Sequence, residues 1–522
     1  MKAVKTMVLL LLFSGIINSS ANAQISSKNL DLLVENAMKK FNVAGVAVCI
    51  VKDGRVVHSK GYGVQSILTR EKVDEHTNFC IGSTSKAFTT TALAMLEEAG
   101  KLGWDDKVVK YIPEFKMYND YVTSNFTILD LLTHRSGLDA DVGNLMGLPD
   151  DNDFTIKDVV TCFQYFKPAT PFRTHFDYDN LLYLVAGEVI ARVSGMSYAD
   201  FVQQKIMQPL QMNNSFAAVS MLKDKPNISS PHSTEYGAIK VIARFEDKIN
   251  SACGGIWSNV DDLAKWLLVH LNKGRYDVDL KSALFSERNQ QQMWRIHTVE
   301  IPEPSPRYNT HFYGYGLGWD VEDKKGNLSL SHTGGGPGML CKISLIPDLG
   351  LGIAVLANTE NGGRPLYSAI SNTIIDSYLG LDDFGWIDKY DKSFREKKAR
   401  SDETTARVWA TVEKAKDTRL KIEDYTGVYE DKWFGKAEVF LKNGHPWFRC
   451  YRSPKLNGAM SFYQANTFAI KWEYQDMNCD AFAIFALDEN GRATSIKLKG
   501  ISPNMDSGFD FQDLDFQRLE GR

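Results

Sequence analysis

Two apolar strand pairs far apart in the chain constrain this fold more than any other feature. The first runs from Val43 to Val51, turns at Asp53-Gly54 and returns from Arg55 to Gly63. The second runs from Leu340 through Pro347-Asp348 to Ala357. Asp-Gly between apolar segments is a strong hairpin signal, because both residues tolerate the positive φ that twisted strand pairs require. A hairpin cannot bury its faces alone, so the two pairs are expected to meet in one antiparallel sheet that closes late in the sequence. Helical spacing covers residues 28–40, Ser83 to Leu102, 127–133, 180–194 and 364–379. The expected fold class is therefore α/β: an antiparallel sheet flanked by helices, with a helical subdomain between the strand pairs.

Beyond Gly385 the composition changes. Residues 386–421 are charged, as in Arg395-Glu396-Lys397-Lys398, and read as a solvated helical linker crossed by few contacts. From residue 422 to 522 short alternating strands and turns such as Asn443-Gly444 predict a small antiparallel β-barrel or sandwich.

The 522-residue chain carries 60 Lys+Arg against 64 Asp+Glu, a formal charge of -4, which lacks the basic excess of a nucleic-acid surface. Residues 1–23 combine Lys2 and Lys5, the apolar run Met7–Phe13, and Ala21-Asn22-Ala23. That is the pattern of a cleaved signal peptide, so residues 24–385 form the expected main domain of an exported protein, periplasmic or extracellular. Gln24 rather than Cys follows the cut, and no later stretch is long and apolar enough to span a membrane. Seven scattered cysteines form neither a redox pair nor a metal knuckle; most sit in apolar runs and read as small buried hydrophobes.

Three polar motifs carry the chemistry. Ser83-Thr84-Ser85-Lys86 opens the strongest helix, where positions i and i+3 share a face and Ser83 Oγ can meet Lys86 Nζ. A serine hydroxyl needs such a base to become a nucleophile. Alone the pattern is weak, since Ser220-Met221-Leu222-Lys223 repeats it. Tyr178-Asp179-Asn180 sits at a helix entry, where a phenol can shuttle a proton and an amide can hold a carbonyl; a core tyrosine with a capping Asn fits equally. His332-Thr333-Gly334-Gly335-Gly336-Pro337-Gly338 precedes a strand, and its glycines admit a close backbone approach. His332 by itself also fits a structural role. No HExxH-type pair points to a metal, and nothing calls for a cofactor.

Taken together and in order, these motifs resemble the serine β-lactamase and penicillin-binding-protein superfamily, in its class C-like branch of esterases and D-aminopeptidases. Leu131–Leu138, Gly254–Ser258 and Gly314–Trp319 are similar too. The resemblance spans roughly residues 28–380 and implies a β-lactamase/transpeptidase-like fold. It implies Ser83 as the acylated nucleophile, Lys86 as its base, Tyr178 as proton shuttle and Asn180 as substrate-amide contact. His332, Thr333 and Gly334 stand in the place of a Lys-Thr-Gly substrate-binding motif, and the N–H groups of Ser83 and Gly335 would form the oxyanion hole. Histidine in place of that lysine, which helps bind a substrate carboxylate, shifts the expected activity from β-lactams toward peptidase or aminopeptidase action on a small-molecule or peptide substrate. A β-lactamase, a DD-carboxypeptidase, a carboxylesterase and a non-catalytic sensor are the alternatives. Phe172 stands where the branch often has Gly, so a different entrance before Tyr178 is expected. Residues 422–522 more weakly resemble a lipocalin-like domain found in some of these peptidases, which would cover the active-site mouth or mediate homo-oligomer assembly.

Overall fold

The computed structural model describes residues 24–519 apart from 236, 247, 303–304 and 416–420; the expected signal segment lies outside the described residues. Helix α1 (Ser27–Phe41) starts at Ser26, whose hydroxyl accepts the Asn29 N–H at 3.3 Å. Strands β1 (Gly45–Lys52) and β2 (Arg55–Gly63) form the first hairpin. Then come three main helices, α2 (Lys86–Glu98), α3 (Leu181–Ser194) and α4 (Val260–Leu271), with shorter helices between them. The remaining strands of the main sheet are β3 (Thr298–Glu300), β4 (Tyr313–Tyr315), β5 (Asp320–Lys324), β6 (Asn327–Gly336), β7 (Met339–Ile346) and β8 (Leu351–Ala357), followed by α5 (Glu360–Tyr378).

The eight strands form one antiparallel sheet in the order β2-β1-β8-β7-β6-β5-β4-β3. Its two hairpins join through β1 and β8, with Val46 opposite Ala357 and Val48 opposite Val355. Because strand side chains alternate, β1 feeds two cores. Val46, Val48 and Ile50 pack with Leu30, Leu366 and Ile370 of α1 and α5. Ala47, Cys49 and Val51 face Phe88 and Leu267 of α2 and α4. There the Phe88 and Trp266 rings stack at 3.8 Å, each burial of this kind contributing about 1.5–3 kcal/mol.

Helix α6 (Trp386–Lys414) follows. Its first turns are solvated on one face only: Trp386, Ile387 and Tyr390 pack, partly buried, against the core shared by α1 and α5, while Asp388 and Lys389 are exposed. A closed eight-stranded antiparallel barrel comes next, built from β9 (Gly427–Asp431), β10 (Gly435–Lys442), β11 (His445–Cys450), β12 (Asn457–Gln464), β13 (Thr467–Trp472), β14 (Ala481–Leu487), β15 (Ala493–Gly500) and β16 (Phe516–Arg518). Buried aromatic rings of Tyr429, Phe434, Phe448, Phe468, Phe485 and Phe516 pack together within it.

The expectation of few contacts between the two parts is wrong. Arg452 of the barrel reaches Asp153 at 2.6 Å and Asp158 at 3.0 Å, and Lys455 reaches Asp150 at 2.6 Å. The rings of Phe154 and Phe434 lie 5.4 Å apart, and those of Phe166 and Trp433 lie 5.2 Å apart. One continuous hydrophobic cluster runs through both. The charged linker composition hid this, because the contacting residues lie elsewhere in sequence.

Candidate active site

The helix carrying Ser83 begins later than its sequence pattern suggests. Gly82–Ser85 is a 3-10 turn, and α2 starts at Lys86. Gly82 has φ +51, and a Cβ there would lie 2.4 Å from the Gly335 nitrogen. On the other side a Cβ on Gly334 would lie 1.9 Å from Ile81 O. Glycine at both positions lets β6 press its backbone onto the turn, which sets the Gly335 amide beside Ser83.

Lys86 is fully buried. Its Nζ donates to Asn180 Oδ1 at 2.6 Å, to Ser83 Oγ at 3.1 Å and to Cys253 O at 3.1 Å. The Tyr178 ring centre is 4.7 Å away and that of Tyr183 is 5.2 Å away. Burial disfavours the ammonium and lowers its pKa to about 8, against the opposing pull of Cys253, Asp141 and Asp179. Burial also drives the Tyr178 phenol well above its ordinary value, with a Ser83 hydrogen bond opposing. Tyr178 is thus a protonated hydroxyl beside a lysine that is partly neutral near pH 7.

Local structure fixes these groups. The Asp179 side chain accepts the Leu181 and Leu182 N–H groups at 2.8 and 3.3 Å, which caps α3, while burial pushes its carboxyl up to about 8. Asp179 N–H donates to His134 Nδ1 at 3.0 Å, and the His134 ring packs 4.3 Å from Tyr178. Buried Asp130 ties Arg135 and Arg173 together, holding the segment before Tyr178. Phe172, expected to reshape the entrance, stacks on Phe126 at 5.5 Å, and Phe176 lines the cleft.

His332 departs from its expected task. It is buried; Tyr315 OH donates to its Nε2 at 2.9 Å, while its Nδ1–H donates to Thr333 O at 2.6 Å. Burial, then the Lys86 charge, lowers its pKa to about 3. Both nitrogens are occupied and the ring is neutral, so it offers no cation to a substrate carboxylate. Thr333 and Gly335, by contrast, are exposed on the cleft face of β6.

Ser83, Tyr178, Asn180, Thr333 and Gly335 share a cleft of about 770 Å³. Its far wall is the barrel loop 503–507, with Phe394 and Lys397 of α6 beside it. A smaller apolar pocket of about 150 Å³ adjoins Ser83, lined by Leu148, Val219, Trp257, Met339 and Met477. Among the described residues, no cluster of three or more His, Cys, Asp or Glu could hold a metal. The structure thus brings together Ser83, Lys86, Tyr178, Asn180, Thr333, Gly334 and Gly335, with His332 behind them. Asp141, His134 and Tyr315 escaped sequence reasoning as site residues. His134 and Tyr315 lie in stretches already noted for resemblance; Asp141 gives no signal, since only its loop's folded position brings it near.

Comparison with known proteins agrees with this geometry. A family model described as Beta-lactamase matches residues 30–371, and one described as a domain of unknown function (DUF3471) matches residues 412–518. An unguisins hydrolase of Aspergillus campestris is 27% identical over 76% of this chain and 74% of its own length. Protein flp of Staphylococcus aureus is 26% identical over 67% of this chain and 66% of its own. In fold, the octameric penicillin-binding protein homologue from Pyrococcus abyssi superposes with a TM-score of 0.60 at 22% identity, covering 94% of this chain and all of that one. A class C beta-lactamase mutant superposes at 0.54 with 21% identity, covering 67% and 96%. With the first family model matching well over half its length, the chain belongs to the Beta-lactamase family, whose members are serine hydrolases.

Proposed function

We propose that the protein is an exported serine hydrolase that forms an acyl-enzyme on Ser83, acting as a peptidase or aminopeptidase on short substrates. One observation carries this reading: a fully buried lysine, its pKa lowered to about 8, lies 3.1 Å from Ser83 Oγ. Neutral Lys86 takes the Ser83 proton as Oγ attacks a substrate carbonyl. The N–H groups of Ser83 and Gly335 stabilise the resulting oxyanion. The proton then passes, through the Tyr178 hydroxyl, to the leaving amine or alcohol as its bond to the carbonyl carbon breaks. Water, activated by the same base, releases the acyl group and restores Ser83.

The barrel loop 503–507 on the far side of the cleft supports a short substrate over a polymer, and the small apolar pocket suits a nonpolar side chain. Neutral His332 removes the cation that would favour carboxylate-bearing β-lactams, which disfavours β-lactamase and DD-carboxypeptidase action. The composition of residues 1–23 supports export to a periplasmic or extracellular location. A lipocalin-like role for the barrel is confined here to architecture: its packed aromatic interior makes a wall rather than a cup. Assembly through that domain is proposed by analogy with the octameric homologue, and light scattering of the purified protein tests it. Activity is tested by kcat/KM on D- and L-aminoacyl amides, short peptides, acyl esters, nitrocefin and D-Ala-D-Ala peptides. Turnover fastest on nitrocefin, or none on any amide or ester, contradicts the proposal.

A further inference from the structure

The residues matched as a domain of unknown function reach the active site through loop 503–507, which lines the cleft, and through buried Asp510 behind it. The loop from Asp139 to Leu148 crosses behind Tyr178 and has only a short 3-10 turn, Asn144–Met146, to stiffen it. Asp141 in that loop holds φ +59, a left-handed conformation that Asp tolerates better than most non-glycine residues. Hydrogen bonds from the barrel hold the loop in place. Asp510, fully buried, accepts the Gly143 N–H at 2.6 Å on one oxygen and the Leu145 N–H at 3.0 Å on the other. Ser507 of the barrel loop lies beside the Asp141 side chain and opposes the rise in pKa that burial imposes on it.

From Asp141 the contacts run inward. Its N–H donates to Tyr178 O at 2.6 Å. Its Oδ1 accepts from Asn144 Nδ2 at 2.8 Å and Asn180 Nδ2 at 3.3 Å. Asn180 Oδ1 in turn accepts from Lys86, which donates to Ser83. We infer that Asp510 of the C-terminal barrel is a positioning residue for acyl transfer, holding the 141–145 loop so that Asp141 braces Tyr178 and Asn180 against Lys86. The inference rests on the proposed Ser83 chemistry and gives the barrel a part in it.

A role in positioning differs from a role in stability through what it does to Lys86. The groups facing Lys86 are Asp141, Asp179, Cys253, Tyr178 and Tyr183, with neutral His134 and His332 behind. Asp510 faces Asp513, with Asp139 and Asp431 around that partner, and burial beside Asp513 holds the Asp510 carboxyl well above its ordinary range. Negative charge on Asp141 raises the lysine's pKa, although burial pushes the Asp141 carboxyl itself above its ordinary range, so withdrawing that charge lowers the lysine's pKa. The acid limb of the acylation rate then moves to lower pH.

The test measures second-order acylation by a small neutral fluorophosphonate from about pH 6 to about pH 10, with melting curves, on full-length protein. Asp510→Ala and Asp141→Asn should both shift the limb downward and lower the plateau about ten- to a hundredfold. Asp510→Asn, which keeps one acceptor oxygen, should fall between Ala and wild type. Phe485→Leu in the barrel interior should melt earlier yet keep the wild-type limb and plateau. If Asp510→Ala does not fold, Asp510→Asn and Asp141→Asn carry the comparison. Wild-type kinetics in Asp510→Asn and Asp141→Asn, or an Asp510→Ala variant that only melts earlier, overturns the inference. Failure of the wild type to label at Ser83 refutes the underlying chemistry instead, and the inference with it.

Discussion

Gly334→Ala tests how the site is assembled, because its cost follows from contacts that cannot yield independently. The added Cβ would lie 1.9 Å from Ile81 O, 2.8 Å from Ile81 C and 3.2 Å from Gly82 Cα, all backbone atoms. An ordinary contact needs about 3.5 Å, so β6 and the Ser83 turn must separate by more than about 1 Å. Overpacking of this kind costs about 1–3 kcal/mol of stability. Its catalytic effect is larger, because a displacement of about 1 Å in a reacting geometry costs about a hundredfold. The N–H groups of Ser83 and Gly335 sit on opposite sides of the widened seam. Gly336→Ala, two residues along the same strand, places its Cβ 3.7 Å from Cys80 Sγ, an ordinary contact. The assay is the rate of Ser83 acylation by a small ester, with a thermal melt of each variant. Gly334→Ala should lose about a hundredfold in rate and Gly336→Ala less than about threefold. Equal rates in the two variants would refute the close backbone seam as the basis of the oxyanion site.

The acylation rate should climb with pH through about 8, since the neutral amine is the proton acceptor and accumulates above its pKa; a limb centred near pH 10, the ordinary lysine value, would show that burial does not prepare Lys86 as a base. His332→Lys should lower activity without raising the ratio of kcat/KM for carboxylate-bearing over neutral esters, because the side chain is buried and Tyr315 loses its acceptor, at about 1–3 kcal/mol; a raised ratio would restore the anion-binding role. Deleting residues 422–522 should give insoluble protein, since it uncovers Phe154 and Phe166 and strands the Gly143 and Leu145 N–H groups; a soluble, active fragment would show that the interface is dispensable.

The sheet was legible because its strands obey local rules. Asp53-Gly54 marked one turn, and the apolar runs of β1, β7 and β8 announced strands buried on both faces. Short alternating segments announced a small antiparallel barrel or sandwich but not its closure or its eight strands: β9 and β16 are short, and Gly458 and polar positions dilute the pattern of β12. Ser83, Lys86, Tyr178 and Asn180 could be picked out because their motifs, taken in order, resemble a known superfamily; helix spacing alone paired only Ser83 with Lys86. What stayed hidden depends on contacts between distant segments. His332 looked like a substrate-binding residue until Tyr315 and Thr333 were seen to occupy both nitrogens. Asp141 and Asp510 lie far apart in sequence, in loops without a motif, and only the docking of barrel on hydrolase domain links them.

The central claim is that Ser83 is acylated, and mass spectrometry of the intact protein after fluorophosphonate treatment tests it most directly. The account predicts one adduct per chain, mapped by peptide digestion to Ser83, lost in Ser83→Ala with the melting temperature unchanged, and retained in Ser220→Ala. An unlabelled wild type, or a label that persists in Ser83→Ala, would contradict it.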